Sequence, residues 1–247
     1  MTECASCGAW FVWPAPARET VHAHYASNVA GMPSQLREWR KETSQSGWYD
    51  VLARRIANRG PAKTIADIGA GGLELSASLS RVTAANIEAW DLFAAGIPTD
   101  LPDRVTAHRV DLNALQPSAK QFDVVACVAV IEHVIAPLDL LRFLRSITAP
   151  GGFAYVVGPE VTSLAHKLMR KSWPYYCPDE HLTLPSLESM RRAVAIAGGG
   201  RFELRRTNVY YSLKYLLRFL RVPIPIPSRL DLLLPVPAGA FELYWYS

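Results

Sequence analysis

Short apolar runs alternate with helical patterns through the middle of the chain. Five runs occur at regular intervals, at residues 64–68, 86–90, 104–110, 122–128 and 152–157. Apolar runs of this length, separated by helices, indicate βαβ units and a mostly parallel sheet that is buried on both faces. Two further runs, at residues 202–209 and 240–246, predict a sixth and a seventh strand. The pattern therefore predicts an α/β fold.

Helical periodicity is clear in three places. Residues 34–58 suit one or two amphipathic helices, which Gly47 would divide. Residues 138–147 form the clearest connecting helix. A third helix begins at Ser186 and ends at three consecutive glycines, residues 198–200.

The two ends of the chain have a different character. The first 33 residues show no clean periodicity, and no helix or strand is predicted there. We therefore expect an N-terminal extension, residues 1–60, followed by one α/β domain, residues 61–247. A basic apolar helix is predicted at residues 213–221. Such a helix can lie on a membrane, but its short length favours packing against the core, so peripheral membrane contact is left open and is not favoured.

Composition limits the functional classes. The 247 residues are 50% hydrophobic and 19% charged, which is ordinary for a globular protein with a sizeable core. The net charge of +4 is too small to indicate nucleic acid, and no nucleic-acid partner is expected. No membrane span or signal peptide is recognised, so a cytoplasmic protein is expected. The oligomeric state is not predicted.

A glycine-rich turn and two strand-end aspartates carry the strongest chemical signal. Asp67 precedes Gly69 and Gly71 where the first strand turns into a helix, and glycines there allow a sharp turn and close approach of a ligand. Asp91 ends the second strand and Asp111 ends the third. The carboxyl ends of neighbouring parallel strands meet at one edge, so these three carboxylates are expected to converge on one crevice.

The chain then resembles a known family. The string Phe122-Asp123-Val124-Val125-Ala126-Cys127-Val128-Ala129-Val130-Ile131-Glu132-His133-Val134 is followed by Pro137 and later by Ala149-Pro150-Gly151-Gly152. In this order the motifs resemble class I S-adenosylmethionine-dependent methyltransferases, in particular the small-molecule branch that includes ubiquinone-pathway enzymes. The resemblance covers residues 65–157 well.

That resemblance implies a Rossmann-like, seven-stranded sheet, mostly parallel with the last strand antiparallel, and helices on both faces. It also implies lid elements at about 159–185 and 210–238. S-adenosyl-L-methionine would be the cofactor, and a small molecule would accept the methyl group. A hydroxyl oxygen is the favoured acceptor, in carbohydrate or secondary-metabolite tailoring.

The resemblance also implies the cofactor-binding residues. These are Asp67, Gly69 and Gly71 at the methionine end, Asp91 at the ribose, Asp111 and Leu112 at the adenine, and the backbone near Val128 at the sulfonium. One departure stands out, because the third glycine of the family's loop falls on Leu73, with Gly72 displaced by one position.

Two histidines are the catalytic candidates. His133 follows the fourth strand, where a neutral imidazole could accept a proton from a hydroxyl group near pH 7. Anchoring of the loop by a hydrogen bond explains His133 equally well. His181 follows the aromatic residues Trp173, Tyr175 and Tyr176, which either wall an acceptor or pack a surface loop.

Metal binding is not expected at either candidate site. The ubiquinone-pathway enzymes carry a further glutamate where this chain has Ala129, and a hard cation wants several oxygen ligands, so no metal is expected at Glu132 and His133. Cys4 and Cys7 resemble the second half of a zinc knuckle. A structural zinc site needs four ligands, and His22 and His24 are the only nearby substitutes, so a remnant without metal is favoured.

Two other functions stay open at this point. A nicotinamide-dependent oxidoreductase shares the glycine turn and the acidic strand end. A non-catalytic, methyltransferase-like binding module is compatible with Leu73 and with the incomplete knuckle.

Overall fold

A seven-stranded sheet forms the centre of the molecule. The computed structural model describes residues 1–31, 46–93, 96–222, 224–227 and 230–247. The strands are β1 (Thr2–Glu3), β2 (Trp10–Phe11), β3 (Thr64–Ile68), β4 (Asn86–Asp91), β5 (Val105–Arg109), β6 (Phe122–Val128), β7 (Thr148–Pro159), β8 (Thr183–Leu184), β9 (Phe202–Ser212) and β10 (Leu233–Tyr246). The helices are α1 (Arg18–Gly31), α2 (Ser46–Ala57), α3 (Glu74–Val82), α4 (Pro137–Ser146), α5 (Leu164–Met169), α6 (Leu187–Ile196) and α7 (Leu213–Phe219).

The order of the strands in the central sheet is β5-β4-β3-β6-β7-β10-β9. Neighbours from β5 to β7 pair in parallel. The last strand of the chain, β10, lies antiparallel between β7 and β9. The predicted Rossmann-like sheet, mostly parallel with its last strand antiparallel, is thereby confirmed.

Alternating residues of the central strands feed two separate cores. Ile65 and Val124 pack on one face of the sheet, in the cluster that contains apolar residues of α2 and α3. The next residues along, Ala66 and Val125, pack on the other face with α4 and α6. Burial on both faces is the reason that these strands are mostly apolar, and helices cover both faces as predicted.

Local sequence explains where the flanking helices begin. Pro137 occupies the first turn of α4, where its missing N–H and fixed φ are no disadvantage. Ser186 caps α6 by accepting a hydrogen bond from the main-chain N–H of Ser189 at 2.9 Å. α3 is instead preceded at its N-cap by Leu73, whose φ is +67°, in the left-handed region that favours glycine.

The N-terminal extension differs from the prediction. The first 33 residues show no clean periodicity in the sequence, yet α1 and the short β1–β2 hairpin lie there. The hairpin pairs with β8 through Trp10 and Leu184, forming a second, three-stranded sheet. Such two-residue strands are too short to leave an alternating pattern in the sequence.

The helical prediction for residues 34–58 is only partly within the described structure. α2 confirms its second half, and Gly47 lies in the first turn of that helix. Residues 34–45 lie outside the described residues. Within the described part of the chain, no helix has both the length and the apolar character needed to cross a membrane.

Candidate active site

The glycine turn after β3 has the backbone that a ligand loop requires. Gly69 has a φ of +76° and Gly71 a φ of +51°, which favour glycine at both positions. A Cβ atom at Gly69 would overlap the Val130 side chain, whereas a Cβ atom at Gly71 would meet no atom within 4 Å. Gly71 therefore faces open space, and Gly69 permits close packing between the turn and the end of β6.

A cavity of about 190 Å³ opens beside this turn. The residues that line it are His22, Gly69, Gly71, Asp91, Leu92, Asp111, Leu112, Asn113, Ala129, Val130, His133 and Val134. The ends of β3, β4, β5 and β6 thus meet here, as expected for a ligand crevice of an α/β sheet. Most of the residues that the sequence proposed for the cofactor line this cavity.

Asp67 and Val128 are buried and do not line this cavity. Asp67 is buried and accepts a hydrogen bond from Ser76 Oγ at 2.7 Å. Burial raises the pKa of Asp67 from 3.8 to about 7. Val128 is also buried, and its neighbours Ala129 and Val130 form the wall instead.

Asp91 holds the glycine turn in place. Its Oδ2 accepts a hydrogen bond from the main-chain N–H of Gly71 at 3.0 Å, and its Oδ1 accepts one from Phe93 at 3.1 Å. Each carboxylate oxygen has a further lone pair. The side chain can therefore order the turn and still accept hydrogen bonds from a ligand in the cavity.

Helix α1 covers the end of the cavity formed by Asp111. Arg18 Nε lies 3.4 Å from Asp111 Oδ2, and His22 Nε2 lies 3.1 Å from Asp111 Oδ1. His22 Nε2 and Asp111 Oδ1 are close enough for an ion pair, but their geometry is not that of a hydrogen bond. Sequence reasoning missed this helix at the site and considered His22 only as a zinc ligand. Nothing in a single sequence pairs α1 with the end of β5.

His133 and His181 lie together at the other end of the cavity. The two rings meet edge to face, with their centroids 4.7 Å apart. His133 Nδ1 lies 2.9 Å from the carbonyl oxygen of Glu180, and His181 Nδ1 lies 2.7 Å from that of Tyr175. A carbonyl oxygen can only accept, so each ring carries its proton on Nδ1 when neutral.

Burial keeps both imidazoles neutral. It lowers the pKa of His133 from 6.5 to about 4, and the neighbouring His181 contributes in the same direction. Burial also lowers the pKa of His181. His133 lines the cavity whereas His181 lies behind it, so His133 is the better placed of the two candidates to meet an acceptor.

Glu132 is a buried acid next to these histidines. Its carboxyl group is 1% exposed, and Oε2 has no hydrogen-bond partner among the described residues. Burial raises its pKa from 4.5 to about 8. A carboxylate oxygen of Glu132 and a ring nitrogen each of His133 and His181 lie within 4.8 Å of one another, so this trio could hold a metal ion. The sequence argument against metal did not count His181.

The aromatic residues near His181 divide between core and site. Trp173 is buried with Val161 and Leu184, and its Nε1 donates to the carbonyl oxygen of Ala238 at 2.7 Å. Its role is therefore packing. The Tyr175 ring is stacked on His181 at 6.2 Å between centroids.

The cysteine pair lies apart from this site. Cys4 and Cys7 are free thiols at the turn between β1 and β2, and hydrogen bonds from Ser6 lower the pKa of Cys4 to about 7. His24 contacts Glu180, with 3.9 Å between Nε2 and Oε1, while His22 contacts Asp111. Both possible substitutes thus have contacts elsewhere, and a remnant without metal stays a prediction.

Comparison with known proteins identifies relatives. The ubiquinone biosynthesis O-methyltransferase of Psychrobacter cryohalolentis is 32% identical over 123 residues, which cover 46% of this chain and 48% of that protein. The enzyme of the same name from Xanthomonas campestris is 34% identical over 116 residues, covering 43% and 46%. The chain therefore matches about half the length of these curated relatives.

Solved structures share the fold. The putative methyltransferase complexed with the Trm112 activator of Haloferax volcanii aligns with a TM-score of 0.58 at 16% identity, covering 94% of this chain and 97% of the other. The 1,6-didemethyltoxoflavin-N1-methyltransferase of Burkholderia thailandensis aligns with a TM-score of 0.57 at 13% identity, covering 100% and 99%.

The family model described as "Methyltransferase domain" matches residues 36–198, more than half of the chain. This match decides against the nicotinamide-dependent alternative and confirms the resemblance to S-adenosylmethionine-dependent methyltransferases. The chain therefore belongs to the methyltransferase domain family.

Proposed function

We propose that this chain binds S-adenosyl-L-methionine in the cavity beside Gly69 and transfers the methyl group to a hydroxyl oxygen of a small molecule. The observation that carries the proposal is the neutral imidazole of His133 on the wall of the same cavity as Gly71, Asp91 and Asp111. Names of the curated relatives, which are O-methyltransferases, support oxygen as the acceptor atom. Carbohydrate or secondary-metabolite hydroxyls are the acceptors that we propose first.

The residues of the cavity suit the cofactor. The open space at Gly71 admits the amino-acid end, and the Asp91 carboxylate has lone pairs for ribose hydroxyls. Asp111 and Leu112 border the opposite end, where the adenine would lie. When bound, the cofactor supplies a methyl group on a positively charged sulfur.

The cavity volume assigns a role to α1. A volume of about 190 Å³ is smaller than the roughly 300–1,000 Å³ of typical ligand pockets. His22 of α1 is part of the wall. We infer that α1 shifts outward when the cofactor enters and then closes over its adenine end.

His133 would accept the proton of the acceptor hydroxyl. The proton on Nδ1 is directed to the carbonyl of Glu180, so Nε2 is the nitrogen with the basic lone pair. A pKa of about 4 keeps the ring unprotonated at pH 7 but makes it a weak base. We therefore expect its contribution near the lower end of the roughly 10²–10⁴-fold range for general bases, with positioning supplying the rest.

The experiment is methyl transfer from labelled S-adenosylmethionine to panels of sugars and phenols. His133→Ala should lower kcat by roughly 10²-fold and leave the affinity for S-adenosylhomocysteine unchanged, because in this proposal the ring contacts the acceptor and not the cofactor. His181→Ala is the matched control, since it removes the ring behind His133. Loss of turnover in His181→Ala alone would reverse the two roles.

A thermal-shift experiment separates cofactor binding from catalysis. S-adenosylhomocysteine at a hundredfold excess over its dissociation constant should add about 2.7 kcal/mol of stability, and NAD should add none. Stabilisation without transfer to any acceptor of the panels would favour the non-catalytic binding module.

A further inference from the structure

Helix α5 presents its leucines to solvent. Leu164 and Leu168 are four residues apart, on one face of the helix, and are 70% and 75% exposed. The residue that points inward is His166, which is buried against Trp10 and Trp173 at centroid distances of 5.1 and 5.0 Å. A surface helix of a globular protein normally has the opposite arrangement, with its apolar face on the core.

A second exposed apolar segment follows α7. The side chains of Leu220, Ile224, Leu230 and Leu232 are all exposed. Most of the large exposed apolar side chains in the described part of the chain lie in this segment or on α5. Apolar exposure that is concentrated in this way marks an interaction surface more often than isolated exposed residues do.

Both segments project from the same edge of the sheet. Ala240 of β10 pairs with Pro159, the last residue of β7, so the part of β10 that precedes Ala240 extends beyond the carboxyl edge. β9 and β10 continue there as a ribbon, and α7 follows directly after β9. Leu164 borders the same cavity as Pro237 and Gly239 of this ribbon. Leu164 of α5 therefore adjoins the base of the ribbon.

Basic residues flank these leucines in the sequence. Lys167, Arg170 and Lys171 lie on or directly after α5, are exposed, and have no acidic residue between them. Lys214 on α7 and Arg221 in the segment that follows it are also exposed. The acidic residue in that segment, Asp231, accepts a hydrogen bond from the main-chain N–H of Lys214.

We propose that α5 and the segment around α7 form a docking surface for a membrane that contains anionic lipids. Apolar side chains that protrude between lysines and arginines are the composition of elements that lie in the bilayer interface. The leucines would enter the acyl boundary while the basic side chains meet the anionic headgroups. This proposal does not depend on which molecule accepts the methyl group, and it goes beyond the proposed methyl transfer.

Charge favours a membrane over a second copy of the chain. In an isologous interface the basic rims of two copies would face each other, and like charges in contact oppose association. The negative charge of an anionic bilayer instead attracts the basic side chains of this surface. Binding should therefore weaken as salt is added, because screening reduces the attraction.

The test is co-sedimentation with vesicles of phosphatidylcholine alone and of phosphatidylcholine mixed with phosphatidylglycerol. The protein should bind the mixed vesicles at least tenfold more tightly. Leu168→Glu should reduce that binding at least tenfold, and adding Leu164→Glu should reduce it further. The matched control is Ile196→Glu, which places the same charge at an isoleucine that is 61% exposed, at the end of α6.

The control lies far from the docking surface. Ile196 precedes Gly199, whose carbonyl accepts from Trp245 Nε1, and Trp245 pairs with Ala154 near the opposite edge of the sheet. Ile196→Glu should therefore bind vesicles like the parent protein. Thermal stabilisation by S-adenosylhomocysteine in all variants would show that the fold and the cofactor cavity are intact.

Two results would overturn the proposal. One is equal binding of the parent protein to both kinds of vesicle, or none to either. The other is a dimer in size-exclusion chromatography that Leu168→Glu disperses while vesicle binding is unaffected, which would assign the surface to a second copy of the chain.

Discussion

The buried acid next to the catalytic candidates can be tested through stability. Glu132 is 1% exposed, and burial raises its pKa from 4.5 to about 8. In the unfolded chain the same group ionises near its ordinary value. As the pH rises from about 4.5 to 8, Glu132 therefore loses its proton in the unfolded chain but keeps it in the folded protein. The free energy of unfolding falls over this range, because deprotonation stabilises only the unfolded state. The substitution Glu132→Gln removes the titrating group and nearly keeps the shape of the side chain.

The size of the effect follows from the shift. The difference between about 8 and 4.5 is 3.5 units, and each unit corresponds to about 1.4 kcal/mol, so the upper limit is about 5 kcal/mol. Relaxation around the charged group makes a few kcal/mol the realistic expectation. The amide group also finds no ready partner at the position of Oε2, at a cost of about 1–3 kcal/mol. That cost does not depend on pH. Comparing the stability difference between variant and parent at two pH values therefore removes it.

Urea unfolding of the parent and of Glu132→Gln at about pH 5 and pH 8.5 measures the difference. The variant should gain stability relative to the parent by a few kcal/mol at the higher pH. Asp123→Asn is the control, because the pKa of Asp123 is shifted in the opposite direction to that of Glu132. The main-chain N–H groups of Lys63 and Thr64 lower the pKa of Asp123, so its effect should be constant over this range.

A pH-independent effect of Glu132→Gln would refute the reasoning. It would mean that Glu132 is already ionised in the folded protein at pH 5. A cation held by Glu132, His133 and His181 would have that effect, because a nearby positive charge favours the carboxylate. The same measurement therefore also tests the expectation that this site holds no metal.

The remaining predictions concern the cofactor, the cysteines and α1. Asp91→Ala should weaken binding of S-adenosylmethionine by about 1.5–3 kcal/mol in calorimetry, since hydrogen bonds to a charged group are lost, and an unchanged affinity would mean that the ribose lies elsewhere. Gly69→Val should abolish binding in the same assay, because a Cβ atom there overlaps Val130, and retained affinity would contradict the assignment of the turn. The purified chain should contain less than one zinc per molecule, and stoichiometric zinc that depends on Cys4 would overturn the remnant interpretation. In hydrogen exchange the amides of α1 should exchange faster than those of residues 182 and 183, and the reverse order would contradict the role given to α1.

Burial on both faces made the central strands predictable. β3, β4 and β6 begin and end within a residue of the apolar runs, because the two cores bury side chains on both faces of these strands. β10 is different, since it begins at Leu233, seven residues before the run at 240–246. Pro235 and Pro237 lie in this earlier part, where prolines argue against a strand. Pro237 lies in the irregularity between Val236 and Ala240, and Pro235 lies where β10 pairs with β9 but not with β7.

Some features of the candidate site could likewise be predicted from the sequence, and others could not. Asp91 and Asp111 could be placed in one crevice from sequence, because the carboxyl ends of parallel strands must share an edge. The contact of His22 with Asp111 could not, because the polar sequence of α1 has no apolar stripe and its partner is far along the chain. The proximity of His133 to His181 is equally a property of tertiary structure. It places two imidazoles in one buried site and thereby lowers the pKa of His133.

The contacts around the cavity also determine which part can open. The main-chain N–H groups of Leu182 and Thr183 both donate to the carbonyl of Glu132, at 2.7 and 3.1 Å, and His133 Nδ1 binds the carbonyl of Glu180. These bonds fasten residues 180–183 to the turn that carries the candidate base, and each contributes about 0.5–1.5 kcal/mol in addition to the pairing of β8 with β2. The ion pair of Arg18 of α1 with Asp111 is partly exposed, and such a pair contributes about 0–1 kcal/mol. Among the described polar contacts, those of α1 are therefore weaker than those of residues 180–183, and we predict that the cofactor enters past this helix.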